Sequence, residues 1–336
     1  MSNPACRHSV LRLATPPMVG PRVAVPLLVV LLLASSLAGC LTTGGGDDGY
    51  YDDGPIESPQ WEVGDWWLFT FITPEFGEDS ARLVVAENNT DESAWMLAIS
   101  NLKEAQRHAV VNHNPFLGRM TWDNLSAYEN GIPQPVFSFP LTTGKTWEFT
   151  LFGSLWNAEV VSTLGRSATV SCTGEGGEII YTFSKDAGFF TAFTHLDSNG
   201  EIRLKMQMNA FGSEHEGDVW FIRATDLFDV RYDGLDGEAY DSFFDSGHPS
   251  GADFDMLVWY LDVQINGGPS QGSLTVKDHS GVTPLARAWG PSSTEKGSLG
   301  TIPANSGEYS VTATLNGGSS YIHLKIAGGL QSTWTL

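Results

Sequence analysis

Apolar residues along this chain recur mainly at every second position. In the clearest run Ile202, Leu204, Met206 and Met208 alternate with Arg203, Lys205 and Gln207. A period of two is that of a strand with one buried face. Ser198-Asn199-Gly200 precedes the run, and because Asn and Gly accept positive φ it predicts a hairpin turn. The stretch GFFTAFTHL, Gly188–Leu196, is then the partner strand. WWLFTF, ARLVVAE, SAWMLAIS, RHAVVNH, KTWEFTLFG, AEVVSTL, SATVSCT, EIIYTFS and DVWFIRA have the same character. No segment of comparable quality shows the 3.6-residue helical period. The pattern predicts an all-β body over 61–223, about ten strands in a curved antiparallel sheet of the half-barrel or open-barrel kind, since a sheet that wide must twist or close.

The alternation lapses over 224–252. Asp226, Asp229, Asp233, Asp236, Glu238, Asp241 and Asp245 fall here, followed by Gly and Pro. This reads as an acidic junction with room for a short helix and a domain boundary near Ser246–Gly251. Strand patterning then resumes over 253–336. Leu257, Trp259, Leu261, Val263 and Ile265 share one face, as do Tyr309, Val311, Ala313 and Leu315, and Ile322, Leu324 and Ile326. Short strands at turn-separated intervals over this length predict a small β-sandwich.

The N-terminus follows a different pattern. Val23–Ser36 is apolar or small, Arg7, Arg12 and Arg22 precede it, and no Asp or Glu occurs before Asp47. That is the length and polarity of an export-signal core, short for a membrane span. Leu37-Ala38-Gly39-Cys40 follows, and these four residues closely resemble the lipobox of prokaryotic lipoproteins. The resemblance implies a signal peptide over 1–39 and lipid on Cys40 as the first mature residue. Met18 opens a more ordinary signal than Met1 and is an alternative start. A retained anchor helix over Val23–Leu41 is the rival reading, weakened by Pro26, Ser35, Ser36 and Gly39. Residues 40–60, rich in Gly, Asp and Pro, read as a flexible, self-repelling tether behind the lipidated cysteine. Either way the body is expected outside the cytoplasm, held to the cell membrane or outer membrane, and two acyl chains make such an anchor durable.

Charge narrows the partners. With 39 acidic against 18 basic residues the net charge is −21, which repels phosphate backbones and argues against nucleic acid. Once Cys6 and Cys40 are set aside only Cys172 remains, so the mature body has no internal disulfide. Lying in SATVSCTG, it reads as a small buried hydrophobe.

Two further segments carry a looser resemblance. Trp61, Gly64, Asp65 and Trp67 form W-x-x-G-D-x-W, and Phe139–Trp147 reads F-P-L-x-x-G-x-x-W. Secreted lipoproteins with such segments resemble the curved half-barrels of periplasmic lipid carriers, and the Gly307, Tyr309, Val311 run looks like the tyrosine strand of secreted Ig-like accessory sandwiches. What these resemblances imply is architecture, with no functional residue.

Catalytic motifs match in letters only. Gly268-Pro-Ser270-Gln-Gly272 fits G-x-S-x-G, but that elbow needs a strand, a tight turn and a helix, and here it links strands. Ser293-x-x-Lys296 needs one helical turn, which Pro291 and Gly297 oppose. His195 and His323 read as a turn-side and a surface strand residue. Glu214-His215-Glu216 lacks the second histidine of a zinc helix. Calcium is the one metal kept open, through Asp233, Asp236, Glu238 and Asp241, although solvated acids explain them more simply; no other cofactor is expected. Phe190, Phe193, Met206 and Met208 are candidates for lining a concave apolar-ligand face. Asn88 and Asn124 head glycosylation sequons. The expected function is that of a lipid-anchored surface protein that binds an apolar ligand or a protein partner without catalysis. The alternatives are a carboxylate-dependent secreted hydrolase and a structural envelope component.

Overall fold

The computed structural model describes residues 54–74, 77–112 and 114–336; Cys40, the signal segment before it and the tether up to Asp53 lie outside them. Twenty strands and one short α-helix are found among the described residues. The first stretch holds β1 (Trp66–Thr73), β2 (Gly77–Asn89), β3 (Ala94–Ile99), α1 (Leu102–Arg107) with a π-helical turn at His108–Asn112, β4 (Gly118–Thr121), β5 (Ala127–Glu129) and β6 (Ile132–Gln134). A meander follows as β7 (Thr146–Leu151), β8 (Ser154–Leu164), β9 (Ser167–Gly174), β10 (Gly177–Ser184), β11 (Phe189–Leu196) and β12 (Ile202–Gly212). The remainder is β13 (Asp218–Asp233), β14 (Gly237–Asp245), β15 (Met256–Gln264), β16 (Gln271–Lys277), β17 (Leu285–Trp289), β18 (Thr294–Ile302), β19 (Gly307–Asn316) and β20 (Tyr321–Thr335).

All pairings among these strands are antiparallel, in one sheet of sixteen strands and one of four. The large sheet runs open from β18 through β15, β20, β13, β3, β2, β1, β12, β11, β10, β9 and β8 to β7, with β4–β6 branching from β3. The predicted hairpin is β11–β12, pairing Phe193 with Met206. Asp197 Oδ1 holds its turn, accepting the N–H groups of Asn199 and Glu201 at 2.9 and 3.0 Å. From β3 round to β7 every strand sends one face into a single apolar cluster, including Phe69, Leu83, Leu97, Phe149, Val160, Val170, Tyr181, Phe193 and Met206. A flat sheet of that width could not converge its side chains in this way, so the sheet is curved, as the alternation predicts.

The second core is a sandwich. Its walls are the β18-β15-β20-β13 end of the large sheet and the β14-β19-β16-β17 sheet. Leu257, Trp259, Leu261, Val263 and Ile265 face Tyr309, Val311, Ala313 and Leu315, with Ile322, Leu324 and Ile326 beside them, as expected from the sequence. Residues 224–252 differ from the sequence reading. Where a break and a short helix were expected, the chain is strand through Asp233 and again over 237–245, and Phe228, Tyr232 and Phe243 enter the sandwich core. Most of the acids there stand on the solvent side of strands, with Asp236 in the turn between them and Asp245 buried at the end of β14: Asp229 takes Lys325 and His323 across the ladder at 3.2 and 2.6 Å. A bulge between Asp226 and Phe228 re-aims β13, so that Ile222 serves the first core and Phe228 the second.

Helix α1 begins where Asn101 Oδ1 accepts the N–H groups of Lys103 and Glu104, at 2.9 and 3.2 Å. Ala105 and Ala109 pack into the first core, while Val110 and Val111 cover Val258, Tyr260 and Ala327 on the back of the sandwich. Strand β15 is therefore buried on both faces, which explains its unbroken apolar run MLVWYL. No helix among the described residues is long and apolar enough to cross a membrane.

Candidate functional site

The concave face is filled by the chain itself. Phe190, Phe193 and Met206 are fully buried, and Met208 packs half-buried against the same cluster. Phe116, from the connection before β4, sits 4.6 Å from Phe190 and 5.2 Å from Phe193 between ring centroids, and Phe137 lies 4.6 Å from Phe190. Val136, Leu141, Ile56 and Trp61 complete the filling. Rings at these separations are in contact, so the four residues proposed to line a ligand face are core residues.

The four calcium candidates are not brought together. Asp233 Oδ1 is 3.0 Å from Arg231 Nε, Asp241 accepts the Tyr232 hydroxyl at 2.8 Å, Glu238 accepts that of Tyr240, and Asp236 is exposed in the following turn. Among the described residues no three His, Cys, Asp or Glu side chains meet as a metal would require. Cys172 is buried on β9, and burial pushes its thiol up to about 12, so no thiolate forms near neutrality. His195 is buried too, stacked on Phe152 at 4.6 Å, and burial lowers its pKa. Ser270 donates to the Gly267 carbonyl at 3.2 Å and leads into β16, while Ser293 leads into β18, so neither catalytic motif has its helix. Asn88 is exposed on β2 and Asn124 half-buried in a turn.

One carboxyl pair is strongly perturbed. Glu104 on α1 and Asp79 on β2 share a hydrogen bond beside Arg107, which pairs with Asp79 and lies 2.8 Å from Glu104. Burial, reinforced by the neighbouring Asp79, pushes Glu104 up to about 7. Burial also works to raise Asp79, but hydrogen bonds from Arg107 and Glu104 outweigh it and hold Asp79 below the usual carboxylate range. Glycoside hydrolysis needs carboxyls ~5–9.5 Å apart, with sugar or water between them. Two carboxyls bonded to each other leave no such room. This cluster is a lock between α1 and β2.

A different arrangement lies where the described chain begins. Trp61 donates its indole N–H to the Gly188 carbonyl at 2.9 Å, and Trp67 donates to Ala187 at 2.7 Å. Gly64, between them, has φ +95°, and a Cβ there would crowd the His215 nitrogen at 3.3 Å. Asp65 accepts the Glu62 N–H at 2.8 Å. In the other shared segment Leu141 exchanges two backbone hydrogen bonds with Ile56, at 2.8 and 3.1 Å. Both segments behind the looser resemblance therefore fasten residues 54–67 onto the sheet.

Beside this fastening the tryptophans continue as a run. Ring centroids are 4.9 Å apart for Trp67 and Trp61, 6.5 Å for Trp61 and Trp95, and 6.3 Å for Trp95 and Trp122. Two recesses flank the strap formed by Ser58 and Gln60, which line both. One, of about 460 Å³, also has Asn88, Trp95, Trp122 and Asp123 in its wall. The other, of about 450 Å³, has Trp61, Trp67, Phe183, Lys185, Asp186 and Phe211 among its liners. Phe211 is 48% exposed, unusual for so large an apolar side chain. Ser58 Oγ and Trp122 Nε1 are buried and find no hydrogen-bond partner among the described residues, each costing about 1–3 kcal/mol. Sequence reasoning missed this site because its residues spread over 57–213. The one available sign was the density of tryptophan there, with Trp61, Trp66, Trp67, Trp95 and Trp122.

No family model and no curated protein matches this chain. Among solved structures, an exo-β-1,3-galactanase of Phanerochaete chrysosporium is 10% identical, with 74% of this chain and 65% of that one covered and a TM-score of 0.18. The dimeric latent PorU of Porphyromonas gingivalis is 12% identical, covering 79% of this chain and 24% of that one at a TM-score of 0.22. The VP2 subviral particle of infectious bursal disease virus is 10% identical, with 93% and 78% covered at 0.18. At TM-scores this low none of them transfers an activity, ligand or partner to this chain.

Proposed function

We propose that this chain is a lipid-anchored, extracytoplasmic surface protein that binds a ligand or partner without catalysing a reaction. Cys40 carries the anchor, the acidic tether spaces the body from the membrane, and the membrane is reached through lipid alone. The observation that carries the binding part is the pair of aromatic and polar recesses flanking Ser58 and Gln60. A preformed concavity with a few convergent polar groups is the usual form of a ligand site. The packed concave face of the sheet supports a scaffold role for the half-barrel, since its apolar side chains already touch one another. The mutual hydrogen bond of Asp79 and Glu104 removes that pair as the acid and base of a hydrolase.

The anchor is tested by growing the native host with labelled fatty acid. The wild-type protein is expected to take up label and fractionate with membranes, and Cys40→Ser to lose the label and appear in the medium. Unlabelled wild-type protein released quantitatively into the medium would end the anchored reading.

A further inference from the structure

We infer that the recess walled by Trp95 and Trp122 is a subsite for a neutral saccharide; the inference rests on the binding-protein reading above and names its ligand class. Its wall is chemically mixed. Two indoles 6.3 Å apart and inclined at 57° form the apolar part. Gln60, Asn88 and Asp123 contribute two amides and a carboxylate, and Ser58 closes the wall beside them. A pyranose ring has the same division: its C–H face is apolar and packs on an indole, while its hydroxyls project from the rim as both donors and acceptors. Amides answer both kinds of group, and a carboxylate can accept two hydroxyl protons. The volume, about 460 Å³, lies within the range of small-molecule sites.

Other ligand classes fit less well. No Lys or Arg lines this recess, and Asp123 is exposed at it, so phosphate, sulfate and uronate groups would meet a carboxylate with no cation to offset it. A hydrocarbon chain would leave Gln60, Asn88 and Asp123 desolvated and unpaired. A nucleotide would bring phosphate to a protein of net charge −21. The second recess, across Ser58 and Gln60, presents the exposed ring of Phe211 and so gives a chain of sugars a second aromatic surface. The ligand is therefore a linear oligomer in preference to a single sugar.

The test titrates the full-length protein, held in a detergent without a sugar headgroup, with maltohexaose, cellohexaose and laminarihexaose, and with an oligogalacturonate as the charged control. Tryptophan emission and calorimetry are the readouts. At least one neutral oligomer is expected to bind, the charged one more weakly. Trp122→Ala should lower affinity about tenfold or more. Asn88→Ala and Asp123→Ala, both at exposed positions, should weaken binding without altering the melting curve, which keeps the test sound if Trp122→Ala fails to fold. Absence of binding by every neutral oligomer, preference for the charged one, or unchanged affinity in all three variants would overturn the inference. A synthetic peptide of residues 41–53 that shifts the emission when no saccharide does would overturn the ligand class while leaving the binding-protein reading intact. Loss of fatty-acid labelling would strike the anchor and leave the saccharide site untouched.

Discussion

The two hydrophobic cores are completed in different ways. In the sandwich, strands supply nearly everything: one face of β15 and β20 meets one face of β16 and β19, largely aliphatic against aliphatic. In the half-barrel the strands supply only the wall, and Phe116, Val136, Phe137 and Leu141 arrive from the connections to fill the concavity. Two sheets packed face to face cover each other, whereas one curved sheet must be covered by its own loops or by something bound. Here the loops do it.

Removing the filler is the harshest trial of this contrast. Phe137→Ala, deleting a fully buried ring that touches Tyr181, Phe183 and Phe190, is expected to cost about 3–5 kcal/mol, read from denaturant unfolding. A loss below about 1 kcal/mol would mean the concavity does not need its plug and would reopen it as a ligand cavity.

A gentler change probes the sandwich. The Tyr309 hydroxyl donates to the Pro303 carbonyl at 2.9 Å and accepts the Asn305 N–H at 2.8 Å. Tyr309→Phe removes both bonds and leaves the ring in place, so a loss of about 1–2 kcal/mol is expected. No loss would show that strand packing alone sets this loop.

An effect no larger than that concerns the lock where α1 meets β2, and it depends on pH. Glu104 holds its proton more tightly folded than unfolded, so its contribution is complete below the ordinary carboxyl range and is lost as pH rises towards about 7. Asp79 has the opposite sign: its contribution is present above its ordinary pKa and fades as pH falls through the lowered value. Between about pH 4.5 and 7 the Glu104 share of the stability should therefore fall with rising pH, on the order of 1–2 kcal/mol after discounting for solvent screening, while His195, whose pKa burial lowers, works in the opposite sense. Glu104→Gln should flatten that slope when unfolding is compared at pH 5 and pH 8. An unchanged slope would remove the shared proton from the picture.

The contrast between the cores also explains what could be read from the sequence. Period-two alternation reveals which side chains of β15, β19 and β20 face inward, and a partner sheet of the same kind makes that sufficient. It equally reveals that Phe193 and Met206 face inward on β11 and β12, but not what meets them, because Phe116 and Phe137 lie in stretches without periodicity. The segment from Asp226 to Asp245 misleads for a different reason. Its carboxylates look like loop composition, yet Asp229 and Asp233 are strand residues whose charge is met by Lys325, His323 and Arg231. A bulge also shifts the alternation by one position at Leu227. The tryptophan recess was illegible because contacts between residues as far apart as Ser58 and Trp122 leave no local trace.

Strands β13 and β20 run side by side over fifteen paired positions; β13 sends side chains into both cores, and β20 holds it along that length while packing into the sandwich. A gene cut near Ser246 would therefore yield no pair of viable pieces, since the leading fragment would lack β20 and the trailing one β13, and the two raw seams would seek each other or aggregate. Because the two halves share this ladder, a single cooperative transition is the expected outcome of scanning calorimetry, and two separated transitions would show that the cores hold themselves independently.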